Sequence, residues 1–318
     1  MPIKEQMIVL PARGAVPSAE IYVKTHVKEE LGKRDVMMLI PGGPGGNHTV
    51  YNGIKDQLFC YADLVMVDLR GCGKSKPAEV RHCDIYEHIE DIEALRIALG
   101  LRRMILLGGS YGSMVALGYA VAYSDRLKKL LLLAGASSSD FLETAKSNIV
   151  RIGTAEQIAW AEKLWTGSFA SVEELNQFYA HMGPLYSIYL RDHPDYAPPT
   201  TAERVPYNFE LANFAYQNHF YHFDFRDSLD KVTVATVIIG GENDWINDPK
   251  HLNEIHKGIA GSKLFLLRSC GHYMWLDQPE AFFEGINFFF NEDAASRNAL
   301  ITKTDKSMSG DGTLEAEM

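Results

Sequence analysis

The sequence is short of several things, and each absence narrows the choice. Only four of its 318 residues are cysteine, Cys60, Cys72, Cys83 and Cys270, and no two have CxxC or other metal-ligand spacing. Free thiols in a reducing compartment are the simplest account of them, and no metal or cofactor is expected. No apolar run approaches the ~18 residues needed to cross a bilayer. The opening stretch MPIKEQMIVLPARG has no apolar centre of signal-peptide length, so a cytoplasmic location is expected. Positive charge is in deficit: 31 Lys and Arg stand against 41 Asp and Glu, a net charge of −10. A basic face for nucleic acid or an anionic membrane is therefore not expected, and the partner expected is a small molecule or short peptide. There are no internal repeats. What remains, 46% hydrophobic and 23% charged residues, is the composition of a globular chain with a sizeable core.

The most informative stretch is Arg103 to Ala120. Met104-Ile105-Leu106-Leu107 has the length of a buried strand, Gly108-Gly109-Ser110-Tyr111-Gly112 is a sharp turn, and a small-residue helix follows. Strand, turn and helix are the context that a G-x-S-x-G nucleophile elbow requires. A Cβ at position 108 or 112 would strike the neighbouring helix or strand. The turn would raise Ser110 at a helix N-terminus, where partial positive charge favours a developing oxyanion.

Seven further strands are expected, at 6–10, 19–27, 35–40, 64–67, 129–134, 232–239 and 263–267. From residue 35 to 134 they alternate with helices, the longest running from Asp84, a capping residue, to Gly100. A helix is also expected over 49–60. Parallel βαβ units with helices on both faces follow from that alternation, giving an α/β fold around a mostly parallel eight-stranded sheet. The alternation stops near residue 137. Helices over 154–165, 171–182 and within 203–221 are punctuated by Pro184, Pro194, Pro198, Pro199 and Pro206, and eight aromatics lie between Tyr207 and Phe225. This predicts a helical lid over 138–230, inserted between core segments 1–137 and 231–292, with a polar, flexible tail over 293–318. Helices over 249–259 and 279–290 complete the core.

Two glycine-rich loops need separate readings. Pro41 to Gly46 is too long for a plain turn and brings backbone N–H groups close to any ligand beside it. Asp68-Leu-Arg-Gly-Cys-Gly-Lys-Ser75 ends like a phosphate loop, but that motif needs a glycine where Asp68 stands, so a tight structural loop is the better reading.

Ser110, Asp244 and His272 each follow a buried strand, on the edge of a parallel sheet where ligands bind, and their chain order is that of the α/β-hydrolase triad. His272 would take the serine proton, and Asp244 would hold the imidazole tautomer and stabilise the imidazolium. The rival acids are Glu242, very close to the strand end, and Asp248, placed to cap the next helix.

With these residues in view, the chain resembles the α/β-hydrolase superfamily over 1–292, and within it the proline iminopeptidase family of serine aminopeptidases. The resemblance rests on Gly42-Gly43-Pro44-Gly45, Asp68 to Ser75, Gly108 to Ser113, Gly240 to Asp244 and Cys270-Gly271-His272. It implies release of an N-terminal proline through an acyl-enzyme, without metal or cofactor. It also implies an oxyanion hole made by the backbone N–H groups of Gly43 and Tyr111, with Gly42 beside the substrate. The family usually has His where Pro41 stands, and it holds the substrate amine with acids at positions occupied here by His219 and Trp245. These two are the substrate-binding candidates by position. Glu203, Glu210 and Glu242 are the acids that would have to replace the missing ones. The competing expectation is hydrolysis of small hydrophobic esters, amides or lactones. A non-catalytic sensor on the same fold is a third.

Overall fold

The computed structural model describes residues 3–196, 203 and 205–291. Eight strands form one sheet: β1 (Ile3–Leu10), β2 (Ala19–His26), β3 (Val36–Ile40), β4 (Asp63–Val67), β5 (Met104–Gly109), β6 (Leu127–Leu133), β7 (Thr236–Gly241) and β8 (Lys263–Leu267). Their spatial order is β1-β2-β4-β3-β5-β6-β7-β8. The first two run antiparallel to their neighbours and every later pairing is parallel. Only a sheet covered on both faces tolerates strands as apolar as VMMLI or MILL. Alternation along the strands divides them between two cores: Met38, Ile40, Leu106 and Leu132 face one side, and Met37, Leu39, Leu107 and Leu131 the other.

Helices Ile85–Ala98 and Tyr111–Tyr123 lie side by side on the first face. Asp84 caps the former by accepting from Glu87 N, and Gly100 ends it at φ +67°. The latter is buried almost all round. At Gly118 an added Cβ would come within 2.4 Å of Ile89 and 2.6 Å of Phe225. On the other face, Pro279–Phe290 packs Phe282, Ile286 and Phe289 against the sheet.

Between β6 and β7 come helices Phe141–Ile152, Ala155–Thr166, Val172–Tyr186 and Phe209–Gln217. Their apolar faces join one continuous cluster with the first sheet face. Phe141–Ile152 is a helix beyond those expected between β6 and β7, and Asp140 before it makes no side-chain capping bond. The helix expected over 49–60 is two short turns instead, His48–Tyr51 and Lys55–Leu58, separated at Asn52-Gly53. Strand β7 begins at Thr236 rather than Val232, because its pairing with β6 starts at Leu130–Thr236. The expected tail over 293–318 lies outside the described residues. Among the described residues no helix is long and apolar enough to cross a membrane.

The Asp68–Ser75 loop is structural. The Asp68 carboxylate accepts from His48 N, Lys74 N and His48 Nδ1, at 2.7, 2.7 and 2.8 Å. A Cβ on Gly73 would sit 2.2 Å from the same carboxylate, so the loop closes on its own aspartate rather than on a phosphate. Arg70 reaches inward to Asp91, with both contacts at 2.7 Å.

Candidate active site

Ser110 stands between β5 and the Tyr111–Tyr123 helix, as the helix N-cap, at φ 56°, ψ −120°, a backbone that a residue with a Cβ rarely adopts. Bonds on both sides hold it there: Ser110 N donates to Leu133 O at 2.8 Å, and Ser113 N to Ser110 O at 2.9 Å. The flanking glycines are required. A Cβ on Gly108 would lie 2.0 Å from Gly112 O, and one on Gly112 would lie 2.1 Å from Ile40 O. Gly42 passes just as close, where a Cβ would be 3.3 Å from that of Ser110.

His272 and Asp244 come from the loops after β8 and β7. Asp244 Oδ2 lies 2.6 Å from His272 Nδ1, and both residues are buried. The other oxygen, Oδ1, accepts from Ile246 N at 3.1 Å and Asn247 N at 3.0 Å, which fixes the carboxylate plane. The rival acids stand elsewhere. Asp248 accepts from Lys250 N as a helix cap, and the Glu242 side chain is exposed.

Three residues support this arrangement without any signal in the motifs. His272 N donates to the Tyr186 carbonyl at 2.7 Å. Asp277 accepts from Gly271 N at 2.7 Å and from Tyr189 N at 2.9 Å, joining the histidine loop to the short Ile188–Asp192 helix that follows Val172–Tyr186. Asn247 Nδ2 donates to Ala134 O at 2.6 Å. Residues more than eighty positions apart in sequence cannot be paired by spacing alone.

Ser110, Tyr111, Gly42, Gly43 and His272 line one cavity of about 820 Å³, its open mouth included. Phe141, Leu164, Tyr179, Tyr186, Tyr207, Tyr216 and Phe220, all from between β6 and β7, supply much of the wall. No described Asp, Glu, Lys or Arg lines it.

His219 and Trp245 do not reach this cavity. Trp245 is 1% exposed and packs edge-on against Trp165 and Tyr186, while its successors Ile246 and Asn247 line the wall. His219 packs against Tyr111, Phe214 and Phe220. The position match to the family's amine-binding acids thus falls on buried packing residues. Nor do the three replacement acids line it. Glu203 is held by Lys24 at 2.6 Å and by Lys74, and the hydrogen bond from Lys24 leads in lowering its pKa to about 2. Glu210 and Glu242 are exposed.

Burial pushes the pKa of both His88 and His219 down from 6.5 to about 4. His88 Nδ1 meets the Tyr111 hydroxyl at 2.8 Å; Asp91, a hydrogen bond to the Arg70 backbone and Asp84 only partly offset burial, and the Arg70 charge adds to it. His219 feels His88 and Asp84, and neither of its ring nitrogens has a partner among the described residues. Both are neutral when folded at pH 7. Between pH 6.5 and 4 the unfolded chain takes up protons that the folded chain refuses, so stability falls as pH is lowered through that window. At ~1.36 kcal/mol per pH unit, each contributes up to about 3 kcal/mol of loss. Thermal melts from pH 7 to 4.5 should show this fall, and His219→Phe should make it shallower. An unchanged acid slope in that variant would exclude His219 as a source.

Comparison with known proteins places this geometry. The family model for the alpha/beta hydrolase fold matches residues 35–279, and the chain belongs to that family. It is a serine hydrolase resembling the proline iminopeptidases. One such relative, proline iminopeptidase PfmaB of Pestalotiopsis fici, is 26% identical over 258 residues, spanning 78% of this chain and 90% of that protein. Among solved structures, the proline iminopeptidase of Mycobacterium smegmatis superposes with a TM-score of 0.64 at 20% identity, covering 92% of this chain and 100% of the other. The enol-lactonase of Burkholderia xenovorans LB400 superposes with a TM-score of 0.68 at 17% identity, over 90% and 100%. These two likenesses establish the shared fold.

Proposed function

We propose that the chain hydrolyses small, neutral carboxylic esters and amides through an acyl-enzyme on Ser110. The observation that carries this reading is the cavity itself. It joins the serine at the strained turn to the Asp244–His272 pair, and no described residue brings a charge to its wall. In the proposed cycle His272 takes the Ser110 proton as Oγ attacks the carbonyl carbon, and Asp244 stabilises the imidazolium. The N–H groups of Gly43 and Tyr111 receive the oxyanion. His272 then protonates the departing alcohol or amine, and water repeats the sequence on the acyl-serine. The helices over 138–230 act in this scheme as a lid that excludes solvent.

The named relatives favour a second reading, release of an N-terminal proline. A protonated amine in a half-buried site needs an anion, and the family's two positions for one hold His219 and Trp245. Comparing kcat/KM for proline arylamide and its N-acetyl derivative separates the two. Loss of less than about tenfold on acetylation is expected. A loss above about a hundredfold, some 2.7 kcal/mol, would show a dedicated amine site and restore the aminopeptidase reading.

A further inference from the structure

We infer that five tyrosines, Tyr179, Tyr186, Tyr207, Tyr216 and Tyr273, form a hydrogen-bonding collar that selects substrates carrying a second, uncharged oxygen near the scissile carbonyl. The inference rests on the hydrolase reading and names its substrate class.

All five line the cavity. Outside this set the fully buried phenols among the described residues are partnered, as is the half-buried Tyr123. Tyr51 donates to Ile40 O at 2.5 Å, Tyr119 to Glu93 at 2.7 Å and Tyr123 to Glu90 at 2.8 Å, while the Tyr111 hydroxyl meets His88 Nδ1 at 2.8 Å. The five collar hydroxyls have no hydrogen-bond partner among the described residues, yet none is a sealed orphan inside the protein. All five belong to residues of the cavity wall. Buried polar groups are almost always satisfied, so an unmatched set facing a binding space is matched by what enters it.

Four of the rings form a chain of neighbours, and Tyr216 joins the same wall packed against Trp165 and Phe220. Tyr179 lies 5.3 Å from Tyr207 and 6.2 Å from Tyr186 between ring centroids, and Tyr186 stacks on Tyr273 at 5.5 Å. Tyr186 is also 5.4 Å from the His272 ring, which sets the collar beside the reacting bond. Burial holds all five phenols in the neutral form, raising Tyr207 to about 12 and the others further, so they remain donors across the working pH range. Neutral donors fit ether, keto or hydroxyl oxygens. They do not neutralise an ammonium group, and no described carboxylate stands near them in the cavity wall to do so.

Three isosteric five-membered acyl groups test this: the p-nitrophenyl esters of tetrahydrofuran-2-carboxylate, cyclopentanecarboxylate and proline. Each kcat/KM is divided by the ester's own hydroxide rate to remove intrinsic reactivity. The expected order places the tetrahydrofuran ester about tenfold or more above the cyclopentane ester, one to two net hydrogen bonds' worth, with proline no better than either. Tyr179→Phe and Tyr207→Phe should lower the tetrahydrofuran rate more than the cyclopentane rate. Equal normalised rates, or proline fastest, would overturn the collar, and the latter would reveal an aromatic cage for a cation. The three carboxamides are also titrated calorimetrically against Ser110→Ala. If no ester turns over but the tetrahydrofuran amide binds best, the hydrolase reading fails and the collar stands. If the carboxamides bind alike, the collar fails whatever the turnover.

Discussion

Ser110→Ala is expected to lower kcat by about 10⁴ to 10⁶ while leaving the melting temperature within a few degrees of the parent, because nucleophile and base act as one unit. Asp244→Asn is expected to cost about 10⁴. An amide at the Oδ2 position, 2.6 Å from His272 Nδ1, offers an N–H where the working tautomer needs an acceptor. Asp248→Asn is the control. Asp248 caps the Pro249–Gly258 helix and receives Asn148 Nδ2 at 3.1 Å, so its loss touches stability rather than turnover. Near-normal turnover in Asp244→Asn with a dead Asp248→Asn would reverse the assignment of the acid. Steady-state kinetics on an activated ester, with melting curves on the same preparations, supply both readings.

The second large effect is on folding. The Arg70 side chain is 1% exposed, and its charge is met by Asp91, which also takes Arg13 at 2.8 Å. Asp91→Ala leaves that guanidinium buried beside only the Pro17 carbonyl, and a loss of about 3–5 kcal/mol is expected in urea unfolding. Arg70→Met combined with Asp91→Leu removes both charges together and should recover a large part of the loss, since a buried pair replaced by apolar side chains is often near neutral. A loss under about 1 kcal/mol in Asp91→Ala would mean that water reaches Arg70.

What the sequence allowed a reader to find follows from the range of the forces involved. The elbow around Ser110 was legible because its demands are local: two glycines whose Cβ atoms would strike Gly112 O and Ile40 O, and a serine at positive φ. The strands were legible because burial on both faces leaves unbroken apolar runs. Loops after such strands share one sheet edge, so Asp244 and His272 were within reach as well. The Phe141–Ile152 helix was missed although Phe141, Leu142, Ala145 and Ile149 recur at helical spacing, because no side-chain cap announces its start. The supports of the histidine loop, Asp277 and the Tyr186 carbonyl, depend on contacts between distant segments and leave no local trace. The placing of His219 and Trp245 beside the substrate came from matching positions to a family pattern. Whether a side chain points into a cavity or into the packing behind it is a tertiary property, and both point into the packing.

The proposal as a whole rests on Ser110 being an activated nucleophile in a cavity that also holds His272. Titration with a small fluorophosphonate followed by mass spectrometry of the intact chain tests this most directly. One adduct per chain is expected, mapped to the peptide containing Ser110, abolished in Ser110→Ala and slowed by several orders of magnitude in His272→Ala. An unmodified chain, or label carried undiminished by Ser110→Ala, would contradict the account.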